Sequence, residues 1–185
     1  MKKIVVFASG SGSNFEAIIE QLHNKTCQVE LLVCDVPGAG CLERATRLGI
    51  PSVIVDRKAY QNRGEYEAEI VKELEPIDPD LIVLAGYMRI IGPTLLNKYA
   101  GKIINIHPSL LPAFPGLDGI GDALNYGVKV IGVTVHQVDA GVDTGPILDQ
   151  AAIHLTGSET KAEVTARIHE LEHEIYPKVI TKLLV

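Results

Sequence analysis

The chain has 185 residues, 46% of them hydrophobic, and a formal net charge of -6. That length reads as one domain spanning 1–185, and an acidic balance with only 17 Lys and Arg excludes a basic stripe for a nucleic-acid backbone. Cys27, Cys34 and Cys41 are odd in number and form no C-x-x-C pair, so they read as reduced thiols rather than a disulfide frame or a zinc knuckle. There is no signal-like apolar region and no run of about 18 apolar residues, so a cytoplasmic setting is expected, without export or membrane contact.

Residues 4–8 are a continuous apolar run of strand length, and the pattern returns at 29–34, 52–55, 81–85 and 103–106. Buried parallel strands read this way. Helical spacing between them predicts helices over 15–22, 41–48, 66–74 and 94–99. The alternation predicts a doubly wound α/β fold with right-handed crossovers. Residues 131–138 and 147–155 read as a terminal strand pair joined by the Asp- and Gly-rich segment 139–146. The expected sheet is mostly parallel, with about seven strands, an antiparallel edge, and helices on both faces. One long helical pattern follows from 159 to 184, with a kink or break expected at Pro177. In such sheets ligands bind beyond the carboxyl ends of the strands, where strand order reverses, so residues just after strands are the candidates.

The first strand runs into Ser9-Gly10-Ser11-Gly12-Ser13-Asn14. Glycines let the backbone approach a ligand, and the free N–H groups of a helix start favour an anion such as phosphate. Ser11, Ser13 and Asn14 add side-chain donors. A plain strand-to-helix turn capped by Ser or Asn accounts for the same residues, and this segment alone leaves both readings open. Phe15 stands where a dinucleotide fingerprint needs glycine, and no Gly-Lys-Ser or Gly-Lys-Thr is present, so a monophosphate fits better than NAD or ATP. Asp35, at the end of the second strand, keeps NAD as the weaker alternative.

Asn105 and His107 stand two apart at a strand end, so their side chains share a face. An amide donor beside an imidazole suits stabilisation of an oxyanion and movement of a proton. A carboxylate from the 139–146 loop, Asp139 or Asp143, would orient the ring and favour its charged form, although both are equally at home as turn residues. His136 lies in a strand and is a weaker candidate for the same site. Tyr87, Met88 and Arg89 follow a buried strand and suit a flat heterocycle, while core packing accounts for Met88 as well. In the last helix, His169-Glu170-Leu171-Glu172-His173 matches the H-E-x-x-H zinc signature. The apolar stripe of Val164, Ile168, Leu171 and Ile175 turns both histidines toward solvent and leaves Glu172 at the margin of the interior, so no metal is expected.

The run Asn105-Ile106-His107-Pro108-Ser109-Leu110-Leu111-Pro112 is followed by Phe114-Pro115-Gly116, Gly132-Val133-Thr134-Val135-His136, Asp139 and Asp143-Thr144-Gly145-Pro146. Together they closely resemble the folate-dependent formyltransferases, over nearly the whole chain from Ser9 to the final helix. The resemblance implies transfer of a formyl group from 10-formyltetrahydrofolate to the amine of phosphoribosylglycinamide in de novo purine biosynthesis, giving formylglycinamide ribonucleotide and tetrahydrofolate without a metal. It places the substrate phosphate on Gly12, Ser13 and Asn14 and the glycinamide part on Glu172. It lines the folate pocket with Arg63, Met88, Arg89, Ile90, Ile91, Asn105, Asp139, Ala140, Gly141, Val142 and Asp143. It makes His107 the proton donor, Asp143 the carboxylate that favours its charged form, and Asn105 the oxyanion donor. Its partners are then small molecules, with no nucleic acid and no membrane. The stretch Asp118-Gly119-Ile120-Gly121 departs from relatives that carry a histidine or arginine there, so no basic help to the phosphate is expected from it.

Overall fold

The computed structural model describes residues 1–185. Strands and helices follow in the order β1 (Lys2–Ala8), α1 (Ser13–Leu22), β2 (Cys27–Cys34), α2 (Gly40–Leu48), β3 (Ser52–Ile54), α3 (Arg63–Leu74), β4 (Leu81–Leu84), α4 (Pro93–Lys98), β5 (Ile103–His107), α5 (Gly119–Tyr126), β6 (Val130–Gln137), β7 (Ile147–His154) and α6 (Lys161–Leu184). They build one seven-stranded sheet in the order β3-β2-β1-β4-β5-β6-β7. The first five strands are parallel, and β6 and β7 add antiparallel at one edge, as the sequence pattern predicts.

Strand periodicity sorts the core into two layers. Ile4, Val6 and Ala8 of β1 pack with Phe15 and Ile18 of α1, Cys41 and Ala45 of α2, Ala123 of α5 and Ile168 of α6. Val5 and Phe7 point the other way, onto Tyr66, Ile70 and Leu74 of α3 and Leu95 of α4. Each such buried aliphatic or aromatic side chain contributes about 1.5–3 kcal/mol, which is why the parallel strands read as unbroken apolar runs. The second layer draws on β1, β2, β4 and Ile103 of β5, and takes nothing from β6 or β7. On that side the face of β5 and β6 is free of helices.

Two features differ from the sequence pattern. The pattern predicts no helix over 119–126, because Gly119 and Gly121 are poor helix formers. α5 forms there because the Asp118 carboxylate accepts the Gly121 N–H at 3.0 Å at its start and Gly127 ends it at φ 89°. Gly119 is a steric need: a β-carbon there would stand 3.0 Å from His107 Nε2 and 3.1 Å from the Pro108 oxygen.

The second difference is that α6 runs through Pro177 without a break. Proline has no amide hydrogen to offer the carbonyl four residues back, that of His173. Gln21 Nε2 of α1 donates to that oxygen instead, at 2.9 Å. One turn of helix away from Glu172, the fully buried Tyr176 donates its hydroxyl to the Leu84 carbonyl at 2.7 Å and fixes α6 over the end of β4. Gln21→Ala should therefore cost about 1 kcal/mol, or about 2–4 °C in Tm. The loss should vanish in a Pro177→Ala background, where the restored amide serves the carbonyl. Thermal melts of the four proteins check this, and equal losses in both backgrounds would refute the pairing.

Candidate active site

A cavity of about 620 Å³ opens beyond the carboxyl ends of β1 and β4 and over the uncovered face of β5 and β6. The glycine-serine turn forms one wall, residues 84–91 another, and Asn105, His107 and His136 the floor. The connection from β6 to β7 and two residues of α6, His169 and Glu172, close the remaining sides.

In the turn, Gly12 takes the left-handed conformation at φ 81° and stands at the start of α1 with no side-chain cap hydrogen bond. No Ser or Asn side chain therefore caps the first amides of α1, which leaves them available to an anion. A β-carbon on Gly12 would lie 2.7 Å from Cys41 Cα, so only glycine fits. The loop is pinned from outside by Cys41 N–H on the Gly10 oxygen at 3.0 Å and Arg44 Nε on the Ser11 oxygen at 2.8 Å. Asn14 turns inward and donates through Nδ2 to the Glu172 carboxylate, while its own Oδ1 is buried without a partner. Burial pushes the Glu172 carboxyl above the usual range, against the opposing effect of the Asn14 bond.

On β5, Ile104 and Ile106 enter the larger core, so Asn105 and His107 turn to the cavity. His107 is 5% exposed. Its Nε2 donates to the Phe114 carbonyl at 2.8 Å, and its Nδ1 lies 3.5 Å from Asp143 Oδ2. An imidazole with an oxygen on each side satisfies both when it carries two protons. Asp143 is held by the Gly116 N–H at 3.0 Å and adopts φ 54°. Its other oxygen stands 3.7 Å from His136 Nε2. His136 donates through Nδ1 to the Gln137 carbonyl at 2.9 Å, and its Nε2 lies 3.4 Å from Asn105 Nδ2. The floor is thus a connected set of Asn105, His107, His136 and Asp143. His136 owes its place to antiparallel register, which pairs it with Asn105, and the β6–β7 ladder bulges beside it.

Residues 85–92 have no regular structure, and Met88 and Ile90 project into the cavity from an exposed backbone while Ile91 is buried beneath. The Asp35 carboxylate takes the Ser9 hydroxyl at 2.5 Å and Arg89 Nε at 2.7 Å. It is 3% exposed and lies behind the cavity lining, out of reach of a ribose, which removes the main support for NAD. Asp139 accepts the Thr144 hydroxyl at 2.6 Å and the Gly141 N–H at 2.9 Å, and these bonds hold its carboxyl below the usual range. Gly141 and Val142 line the cavity beside it, whereas Ala140 and Arg63 stand outside. Arg63 still abuts the far end of the 88–91 segment: a β-carbon on Gly92 would be 2.6 Å from its Nε.

The zinc-like pattern resolves differently from its expected placing. His169 is exposed where it lines the cavity, as expected, while His173 is half-buried with Nε2 unpartnered, its ring stacked on His169 at 6.5 Å between centroids. Burial lowers the His173 pKa. Both α1 and the sheet pack on α6, so its buried face is wider than one apolar stripe and includes Glu172. No group of three or more His, Cys, Asp or Glu is placed to hold a metal ion. Asp118 pairs with Lys161 at 3.1 Å outside the cavity, and its loop brings no cation to the site.

A family model described as Formyl transferase matches residues 2–180. A curated phosphoribosylglycinamide formyltransferase of Bacillus subtilis (strain 168) is 54% identical over 186 aligned residues, which cover 100% of this chain and 95% of that protein. The crystal structure of glycinamide ribonucleotide transformylase 1 from Geobacillus kaustophilus matches with a TM-score of 0.96 at 51% identity, covering 100% of both chains. That of phosphoribosylglycinamide formyltransferase from Bacillus halodurans gives 0.95 at 49%, covering 99% of this chain and 95% of the other.

Glu172 makes the energetics of the site testable. Its folded-state pKa is raised above the ordinary 4.5, so the folded state's advantage is full below that value and is lost as pH rises through the raised one. Glu172→Gln escapes this loss. Its Tm should match wild type at acid pH and exceed it as pH rises through the raised value. Melting curves across pH check the sign, and a constant difference would refute it.

Proposed function

The chain belongs to the formyl transferase family, and we propose that its cavity seats the acceptor phosphate at Gly12, Ser13 and Asn14, the glycinamide at Glu172, and the folate against Met88 to Ile91 and the Asp139 to Asp143 segment. The reaction is transfer of the formyl group of 10-formyltetrahydrofolate to the amine of phosphoribosylglycinamide, in de novo purine biosynthesis. Formylglycinamide ribonucleotide and tetrahydrofolate are the products.

The observation that carries the residue assignment is the connected floor of Asn105, His107, His136 and Asp143 between an anion seat on one side and an apolar wall on the other. The amine attacks the formyl carbon and produces a tetrahedral oxyanion. Asn105 Nδ2 donates to that oxygen, and the protonated His107 ring does so by exchanging its Phe114 or Asp143 contact for it. The attacking nitrogen must lose a proton and the departing folate nitrogen must gain one. His107, with Asp143 balancing its charge, relays that proton directly or through one water. Arg63 and Arg89, at the two ends of the apolar wall, supply positive charge for the acidic tail of the folate. The acidic chain, three buried free thiols and small-molecule substrates support a cytoplasmic setting for one domain over 1–185, with neither nucleic acid nor membrane as partner. No helix is long and apolar enough to cross a membrane.

The first test follows loss of the formyl group from 10-formyltetrahydrofolate with and without phosphoribosylglycinamide, and with a chelator. Turnover should require the glycinamide and survive the chelator; turnover on the folate alone would overturn the transferase assignment. Asn105→Ala should lower kcat about 100- to 1,000-fold. Asp143→Asn should depress turnover at neutral pH more than substrate binding and alter its pH dependence. A folded Asp143→Asn enzyme with the wild-type pH–rate profile would refute the role given to that carboxylate.

A further inference from the structure

Outside the groups that face either substrate, one buried carboxylate ties two walls of the cavity together. Asp35 follows β2 and is 3% exposed. Two donors reach it, one on each oxygen: the Ser9 hydroxyl at 2.5 Å on Oδ1 and Arg89 Nε at 2.7 Å on Oδ2. Because the Ser9 proton points to Asp35, the Ser9 oxygen is left to accept the Met88 N–H, at 2.9 Å. The Arg89 guanidinium lies 5.9 Å over the Tyr66 ring, whose hydroxyl meets that of Tyr87 at 2.5 Å.

We propose that Asp35 is a positioning residue that sets the folate wall: through Ser9 and Arg89 it fixes the backbone of residues 87–89 at the height needed to hold the pterin and its formyl group. The proposal rests on the reading of this wall as the folate seat. Packing anchors the segment at Tyr87 and Ile91, which enter the smaller core, but not between them, where Met88 is 63% and Ile90 55% exposed and the backbone has neither helix nor strand. Polar ties hold the stretch between. Glu67 grips the far end, accepting the Gly92 N–H at 2.6 Å, and Asp35 grips the near end. The glycine-serine turn, by contrast, has its own pins from Cys41 and Arg44. Loss of Asp35 therefore acts on the folate and spares the phosphate.

In Asp35 each donor has its own oxygen of a charged group, and an asparagine offers one oxygen and one NH2 group without charge. Asp35→Asn keeps the size of the side chain while removing the charge that pairs with Arg89. We expect its KM for 10-formyltetrahydrofolate to rise about ten-fold, the scale of one charge-assisted hydrogen bond. The kcat and the KM for phosphoribosylglycinamide should each stay within about three-fold. Ser9→Ala, which removes the bridging hydroxyl and leaves the carboxylate, should reproduce the folate-specific rise and decides the matter if Asp35→Asn does not fold. A purely structural role would lower Tm and the active fraction while leaving both KM values unchanged, and that result, or an equal rise in both, would overturn the tie. Wild-type protein that fails to turn over the two substrates would instead overturn the reading of the cavity on which the tie rests.

Discussion

A parallel sheet needs cover on both faces, and here one helical layer stops short. The α3–α4 side shields β1, β2 and β4 and lays no helix of that layer over β6, so the strands that carry Asn105, His107 and His136 turn them toward the cavity and the loops around it instead of toward an apolar core. The reversal of strand order between β1 and β4 adds a crevice at the same place, because the chain leaves the two strands toward opposite faces. The cavity follows from these two facts of topology. The antiparallel return through β6 and β7 then lays the segment bearing Asp143 across the bare face, where a further parallel strand would have demanded a helix.

Concentrating so many buried polar groups at one end of the molecule has a stability cost. Ser9, Asp35, His107, His136 and Glu172 are each less than a tenth exposed and meet within or just behind the cavity. All but part of this desolvation is offset by bonds already described, and the exceptions lie at the acceptor end, where Asn14 Oδ1 and His173 Nε2 remain unpaired. Burial without full compensation also keeps the Glu172 carboxyl from ionising easily. The larger core on the α1–α6 face and the smaller one opposite carry the load.

Strand positions were legible because burial on both faces leaves no alternation, only apolar runs. The same clarity failed for α5, whose Gly119 answers the approach of His107 and the Pro108 carbonyl, a contact between residues far enough apart that local propensity has no access to it. It failed again at Pro177, where the missing hydrogen bond is replaced by a side chain from the other end of the sequence. In the site, Asn105, His107 and Asp143 were legible from chemistry and spacing together with family resemblance. His136 needed the register of β5 against β6, and the half-burial of His173 needed the second packing surface on α6. Asp35 was read as a free acid because nothing in one segment of sequence reveals two donors arriving from two others.

The pairing of Gln21 with the His173 carbonyl reaches beyond the continuity of α6. It joins α1 to α6 two turns along α1 from the place where Asn14 meets Glu172, the residue next to His173, so the two helices are fastened at two points of α1. On the assignment proposed above, the amino end of α1 grips the phosphate and Glu172 of α6 the glycinamide. Two parts of one acceptor would then rest on two helices held in a fixed relation.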